Sequence, residues 1–335
     1  MPAKRTARVY RPTSANMARL AKVLAQGGLV AAPTETVYGL AADALNAKAC
    51  RAIFRAKGRP ASDPLIVHVG SLAQAETIAE FSECAREVAK TFWPGPLTLV
   101  LPKKSRVPSI VTSGLPSVAV RMPAHQLFRD LIRRSGCPLA APSANPFGYV
   151  SPTTAEHVLT GLGTRIEYIL DGGPAKIGVE STILDLRDPC RPALLRPGFI
   201  SIKAIGAVLG QGVIAYRRKV RPRHAAIAPG MLEHHYSPRT PLILVKKLTR
   251  QSMGRISTDE ALLFLKKPEG LSGKNIFWLT EDGRLEQAAH RLFKMLRQLD
   301  DGHWGKIHAE LITGNASLAL AVNDRLTRAA AVLPL

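Results

Sequence analysis

The sequence predicts an α/β protein built as two unequal domains, and three observations point there. At 335 residues the chain exceeds the usual size of one domain. Its first two hundred residues alternate short β-rich runs with helical patterns, but not strictly, which favours a large, twisted, mixed sheet. After a stretch rich in arginine and proline, a shorter alternation of the same kind begins, as expected of a small βαβ-type unit. These signals divide the chain into a first domain over 1–210, a linker over 211–241 and an accessory domain over 242–335.

The elements follow in order. Met17, Leu20, Val23 and Leu24 share a helical face that Gly27-Gly28 closes. The first 34 residues hold arginines and no acid, as a transit peptide would, but that apolar face argues for a folded helix instead. Residues 29–32 read as a buried strand before the loop 33–36. Asn46 caps a helix with Cys50, Ile53 and Phe54 on one side. A strand at 65–69 and two helical stretches within 71–91 come next. Trp93-Pro94-Gly95-Pro96 then interrupts the chain before a strand at 97–101. Further strands are expected at 117–121, 138–141, 168–170, 181–186 and 193–195, with helices near 124–135, 153–161 and 200–209. The linker carries the basic run 217–224 and the punctuation Ala228-Pro229-Gly230 and Ser237-Pro238. The accessory domain reads as a strand at 242–245, a helix near 257–266, a strand at 275–279, a helix over 282–299, a strand at 310–312 and a last helix from about 322.

Composition narrows the function classes. The chain is 46% apolar and 21% charged, which excludes global disorder. No run reaches the length of a membrane span, so no membrane partner is expected. The net charge of +21 favours polyanionic partners or marks general surface basicity. Cys50, Cys84, Cys137 and Cys190 lie far apart without a C-x-x-C pair, so reduced thiols and a cytoplasmic location are expected. His234-His235 has no neighbouring carboxylate or cysteine, and no metal site is assigned.

Chemistry concentrates at strand ends, where open α/β sheets hold their ligands. Lys57-Gly58-Arg59-Pro60 places a point charge and a planar fork on a bent segment able to aim both at a polyanion, although a solvated helix end would look alike. Ser143-Ala144-Asn145-Pro146 follows an apolar strand and offers neutral donors and acceptors, or a plain Asn-Pro turn. Thr34, Glu35, Thr36 and Tyr38 bring hydroxyls, a carboxylate and a ring after another buried strand. Arg121 ends a strand and suits a carboxylate; Arg196 ends a later one and suits a phosphate. Ser181 and Thr182 could read a substrate hydroxyl. No G-x-x-x-x-G-K-[ST] loop, G-x-G-x-x-G turn, G-x-S-x-G elbow or zinc pattern occurs. ATP, if bound, would therefore be held by separate cations from several strand ends.

Read in order, P-T-E-T-V-Y-G-L at 33–40, K-G-R-P at 57–60, S-A-N at 143–145, G-V-E-S-T at 178–182, L-R-P-G at 195–198 and the linker segment 228–238 resemble the YrdC-like threonylcarbamoyl-AMP synthase family in its longer two-domain form. Asn323-Asp324-Arg325-Leu326 resembles the end of its accessory domain. The resemblance implies a YrdC-like catalytic domain and a Rossmann-like accessory domain. It implies a nucleotidyltransferase joining ATP, L-threonine and bicarbonate, with Mg2+ bridging phosphates. Lys57 and Arg59 would be catalytic and would bind the nucleotide with Ser143, Asn145, Ser151, Arg196 and Tyr236. Thr34, His68, Arg121 and Ser181 would hold L-threonine, and the linker would exclude water from a labile product. A downstream threonylcarbamoyl transferase acting on tRNA is implied, without direct tRNA contact. An RNA-binding module of the same fold is the rival reading. The hydrogenase-maturation carbamoyl-transfer domain is another, but its zinc-binding cysteine pairs are missing. One departure stands out: Ala41 follows Tyr38-Gly39-Leu40, where the family commonly has glycine.

Overall fold

The computed structural model describes residues 6–215, 228 and 235–330. The basic run 217–223 and His234 lie outside the described residues.

Ten strands form one mixed sheet: β1 (Arg8–Tyr10), β2 (Val30–Pro33), β3 (Tyr38–Asp43), β4 (Ile66–His68), β5 (Leu97–Pro102), β6 (Ser117–Arg121), β7 (Leu139–Ala140), β8 (Tyr168–Leu170), β9 (Thr182–Asp185) and β10 (Ala193–Arg196). Their spatial order is β1-β8-β2-β3-β7-β4-β6-β5-β9-β10. Parallel pairs such as β4 with β6 alternate with antiparallel ones such as β2 with β3, so the sheet is mixed as expected.

Helices cover both faces. On one side α1 (Ser14–Ala25) and α5 (Gln126–Ser135) bury Met17, Leu20, Leu24, Phe128, Leu131 and Ile132 against β2, β3 and β7. On the other, α2 (Ala47–Lys57), α4 (Glu83–Phe92), α6 (Ala155–Leu162) and α7 (Ile202–Leu209) close over the main core; the short α3 (Leu72–Glu76) precedes α4. Local chemistry sets the helix ends. The Asn46 side chain accepts from the amides of Lys48 and Ala49 to start α2, and Gly58 ends it in the left-handed region at φ 66°. Lys57 is thereby the last helical residue, and Arg59 emerges past the turn.

The accessory domain has four parallel strands, β11 (Leu242–Val245), β12 (Ala261–Lys266), β13 (Ile276–Thr280) and β14 (Ile307–Glu310), in the order β11-β14-β12-β13. The short α8 (Arg250–Met253) lies between β11 and β12. Helices α9 (Leu285–Asp301) and α10 (Ser317–Ala329) pack their apolar faces over the sheet.

Three expectations need correction. The helix expected near 257–266 is strand β12: Ala261 to Phe264 are all buried, and a continuous apolar run buried on both faces has no period to separate strand from helix. The strand expected at 310–312 lies at Ile307–Glu310, and the last helix starts five residues early, at Ser317. Two strands were not anticipated. β1 is a short edge strand beside β8, and β3 is a central strand whose Tyr38-Gly39 start was absorbed into the preceding polar loop. Ala41 is fully buried within β3, opposite Val30, where its methyl packs without backbone strain. Among the described residues no helix is long and apolar enough to cross a membrane.

Candidate functional site

One cleft, of about 490 Å3 with its mouth included, gathers the ends of β2, β4, β6, β7 and β10. Its two flanks are built differently.

On the first flank the β2–β3 loop is folded upon a single hydroxyl. Thr34 Oγ1 accepts from the Thr36 and Val37 amides, both at 3.2 Å, and donates to the Val37 carbonyl at 2.6 Å. Arg121, at the end of β6, donates to Thr36 Oγ1 at 3.0 Å and pairs with the Glu35 carboxylate at 2.6 Å. Burial alone would raise the Glu35 carboxyl, but the Arg121 guanidinium outweighs it and holds the group below its ordinary range. His68 ends β4 in register with Arg121 and packs on Phe128 at 5.2 Å. Burial, followed by the Arg121 charge, pushes its pKa down to about 3, so the ring is neutral at physiological pH. Ser181, at the start of β9, shares a 2.8 Å hydrogen bond with the buried Thr98 hydroxyl of β5.

The second flank is cationic. Arg59 is buried, donates Nε to the Asp63 carbonyl at 2.9 Å, and pairs with the Asp63 carboxylate at 2.9 Å. Lys57 Nζ donates to the Ser143 carbonyl at 2.6 Å and also to that of Asn145. Burial, helped by the Arg59 charge, moves the Lys57 ammonium well below its ordinary pKa. Burial likewise lowers Arg59 and Arg196 and raises Asp63, which has Arg59, Lys57, Arg196 and Arg328 around it. Arg196 donates to the Ser181 carbonyl at 3.1 Å and to Ser181 Oγ at 3.2 Å. This approach needs Gly198: a methyl there would lie 2.3 Å from the Thr182 nitrogen.

Of the residues singled out from the sequence, Thr34, Arg59, His68, Arg121, Ser143, Ser181, Arg196 and Tyr236 line the cleft. Lys57, Asn145 and Ser151 stand one layer behind it. Asn145 donates to the Pro146 and Tyr149 carbonyls, both at 2.8 Å, and Ser151 donates to Glu180 Oε1 at 2.6 Å. Thr36, already singled out with the 33–40 segment, also lines the cleft, as do Glu180 and His235, which had no assigned role from sequence. Glu180 could have been suspected from its place before Ser181. His235 drew attention only as half of a histidine pair.

The roof comes from the far end of the linker and the accessory domain. Tyr236 sits in the left-handed region at φ 66°, is fully buried, and stacks on Phe293 of α9 with centroids 5.4 Å apart. A bulky residue held there marks a segment that its surroundings over-determine. Burial, with Glu180 adding to it, pushes its phenol up to about 12. Arg325 of α10 pairs with Glu180 at 3.0 Å, donates to the Pro197 carbonyl at 2.8 Å and lies 5.6 Å from the Tyr236 ring centroid. His235 packs edge-on to Tyr236; burial and the charges of Arg59 and Lys57 keep it neutral.

Such a cleft can hold a polyanion on one flank and a small polar molecule on the other, with water partly shut out. Among the described residues no three histidine, cysteine or carboxylate side chains converge as a metal site would require.

Comparison with known proteins agrees over both domains. Residues 22–198 match the family described as Telomere recombination (the Sua5, YciO and YrdC proteins), and residues 200–331 match the one described as Threonylcarbamoyl-AMP synthase, C-terminal domain. A threonylcarbamoyl-AMP synthase of Pyrococcus abyssi is 44% identical over 315 residues, covering 91% of each chain. One from Bacillus subtilis is 40% identical over 329 residues, 94% of this chain and 92% of the relative. The crystal structure of P. abyssi Sua5 complexed with L-threonine superposes with a TM-score of 0.88 at 40% identity, covering 96% of both chains. Escherichia coli YciO shares the fold alone, at TM-score 0.54 and 20% identity over 59% of this chain and 99% of its own.

Proposed function

The chain belongs to the threonylcarbamoyl-AMP synthase family in its two-domain form, and we propose that its cleft joins L-threonine, bicarbonate and ATP into threonylcarbamoyl-AMP, with release of pyrophosphate and water. The family makes it an enzyme of the transferase class. The finer assignment, nucleotidyl transfer from ATP, is ours.

Arg121 and the Thr34 loop take the amino-acid side, with neutral His68 beside them and Ser181 supplying a hydroxyl. Arg59, Ser143 and Arg196 face the triphosphate. The threonine amine, once neutral, adds to CO2 from bicarbonate to give a carbamate. A carbamate oxygen then attacks the α-phosphorus, the bond to the bridging oxygen breaks, and pyrophosphate leaves with the electron pair. Catalysis here is positioning and neutralisation of charge, so no covalent nucleophile is required. A magnesium ion would arrive on the triphosphate and keep phosphate and water ligands, since the described side chains offer it no cage. Lys57 acts from behind, its ammonium holding the carbonyls that shape the 143–145 loop. Asn145 and Ser151 are likewise reassigned to support, Ser151 through Glu180. Tyr236 and His235 close the roof over a labile mixed anhydride. We further propose that the product feeds a separate threonylcarbamoyl transferase acting on tRNA, without RNA contact by this chain. The RNA-binding rival finds no support among the relatives.

One observation carries the reading. The Arg196 guanidinium bonds Ser181 while lining the same cleft as Arg59 and Arg121, so the cation flank and the hydroxyl flank are one site. Mass spectrometry of the product formed from ATP, labelled bicarbonate and threonine, serine or valine tests it. Label in a threonylcarbamoyl adenylate is expected, with valine poorly used; pyrophosphate release indifferent to the amino acid contradicts it.

A further inference from the structure

Among the described residues Ser181 Oγ has two partners. Arg196 Nη2 approaches it at 3.2 Å, and the Thr98 hydroxyl lies 2.8 Å away. A guanidinium only donates, so Arg196 occupies one lone pair of the serine oxygen. Between the two hydroxyls either atom could be the donor, and burial decides which.

Thr98 lies in the middle of β5 with no exposed surface, and among the described residues its hydroxyl has no partner other than Ser181. Were Ser181 the donor, the Thr98 proton would be left in the core without an acceptor, and a buried orphan donor is disfavoured. With Thr98 as donor both of its needs are met. Both lone pairs of Ser181 Oγ are then taken, by Thr98 and by Arg196, and its own proton has to point elsewhere. Ser181 lines the cleft, so that remaining direction is the ligand's.

We infer that Thr98, a residue that does not line the cleft, is a specificity-determining positioning residue: it fixes Ser181 as an obligate hydrogen-bond donor to an oxygen acceptor of the amino-acid substrate. The inference rests on the reading of Ser181 as a threonine contact. It adds that the site at Ser181 reads an oxygen lone pair and rejects a group that can only donate, such as an ammonium. It also explains why β5 carries a buried threonine among Leu97, Leu99 and Val100, where valine would fill the same space.

The test is a double-mutant cycle with steady-state pyrophosphate release in the full-length enzyme. Thr98→Val keeps shape and strand preference and deletes only the hydroxyl. It should raise the KM for threonine about tenfold, the scale of a hydrogen bond to a charged or strongly polar group, with the KM for ATP and kcat within about twofold. Thr98→Ser should restore threonine affinity. In a Ser181→Ala background Thr98→Val should add nothing further, because its only target is gone. If Ser181→Ala weakens threonine but Thr98→Val leaves it unchanged, or if the two effects simply add, the inference fails and the site assignment survives. If Ser181→Ala itself leaves the threonine KM unchanged, the site assignment fails first.

Discussion

The two flanks of the cleft bury charge in opposite ways. On the amino-acid flank, Arg121 already has its carboxylate in Glu35, and the loop hydroxyls are satisfied among themselves. On the other flank, among the described residues, Lys57, Arg59, Arg196 and Arg328 lie around Asp63, which pairs with Arg59, while Arg328 and Arg325 pair with Asp324 and Arg325 also with Glu180 at the far edge. Buried cations this close disfavour one another's charged forms, as Arg59 does to Lys57, and a bound anion would relieve that. Under the proposed function the cationic flank takes the polyanion and neutralises it, and the other takes a molecule close to neutral overall and sorts it.

The largest expected effect comes from unbalancing the shared edge. Arg325→Ala takes from the buried Glu180 its arginine partner and from Asp324 one of its two, and should lower stability by about 3–5 kcal/mol. Chemical denaturation measures it; a loss below about 1 kcal/mol would mean that the roof is not anchored through this arginine. Next is Arg59→Ala, which should cut kcat/KM for ATP by about 10²–10³, on the scale of a lost transition-state donor. Pyrophosphate release reads this out, with Arg59→Lys as the variant that keeps charge without the planar fork. An unchanged rate in both would remove the neutralising role from this flank.

These two residues show where sequence reading stops. Thr34, Arg121, Ser143 and Ser181 were legible because each is a polar residue directly at the end of an apolar strand, and a sheet brings strand ends together. The counter-charges were not. Glu180 and Arg325 are 145 positions apart and meet only because α10 folds back across the first domain. Lys57 looked like a phosphate ligand, yet the turn at Gly58 sends its ammonium to two carbonyls and leaves Arg59 in the cleft. The left-handed backbone of Tyr236 has no signature in residue type. β12 failed for the opposite reason: a run of apolar residues fits a buried strand and a buried helix equally.

A smaller effect sharpens the contrast through pH. The Glu35 carboxyl is held below its ordinary pKa in the fold, so the unfolded chain binds more protons in that window. Its contribution to stability is complete above the ordinary carboxylate range and is lost as pH falls through the lowered value. Glu35→Gln should flatten that acid limb in thermal denaturation at stepped pH; an unaltered limb would show that Arg121 does not depend on this carboxylate. Smallest of all, Asn46→Ala removes the cap of α2 and should cost about 1 kcal/mol without changing the threonine KM, since it acts on the helix and not on either flank.

The division of labour between the flanks is tested most directly by calorimetric titration of two ligands into two variants. With Arg59→Ala, affinity for a non-hydrolysable ATP analogue should fall at least tenfold while threonine binding stays within about twofold; with Arg121→Ala the pattern should reverse. Equal losses of both ligands in both variants, or the opposite assignment, would contradict the account.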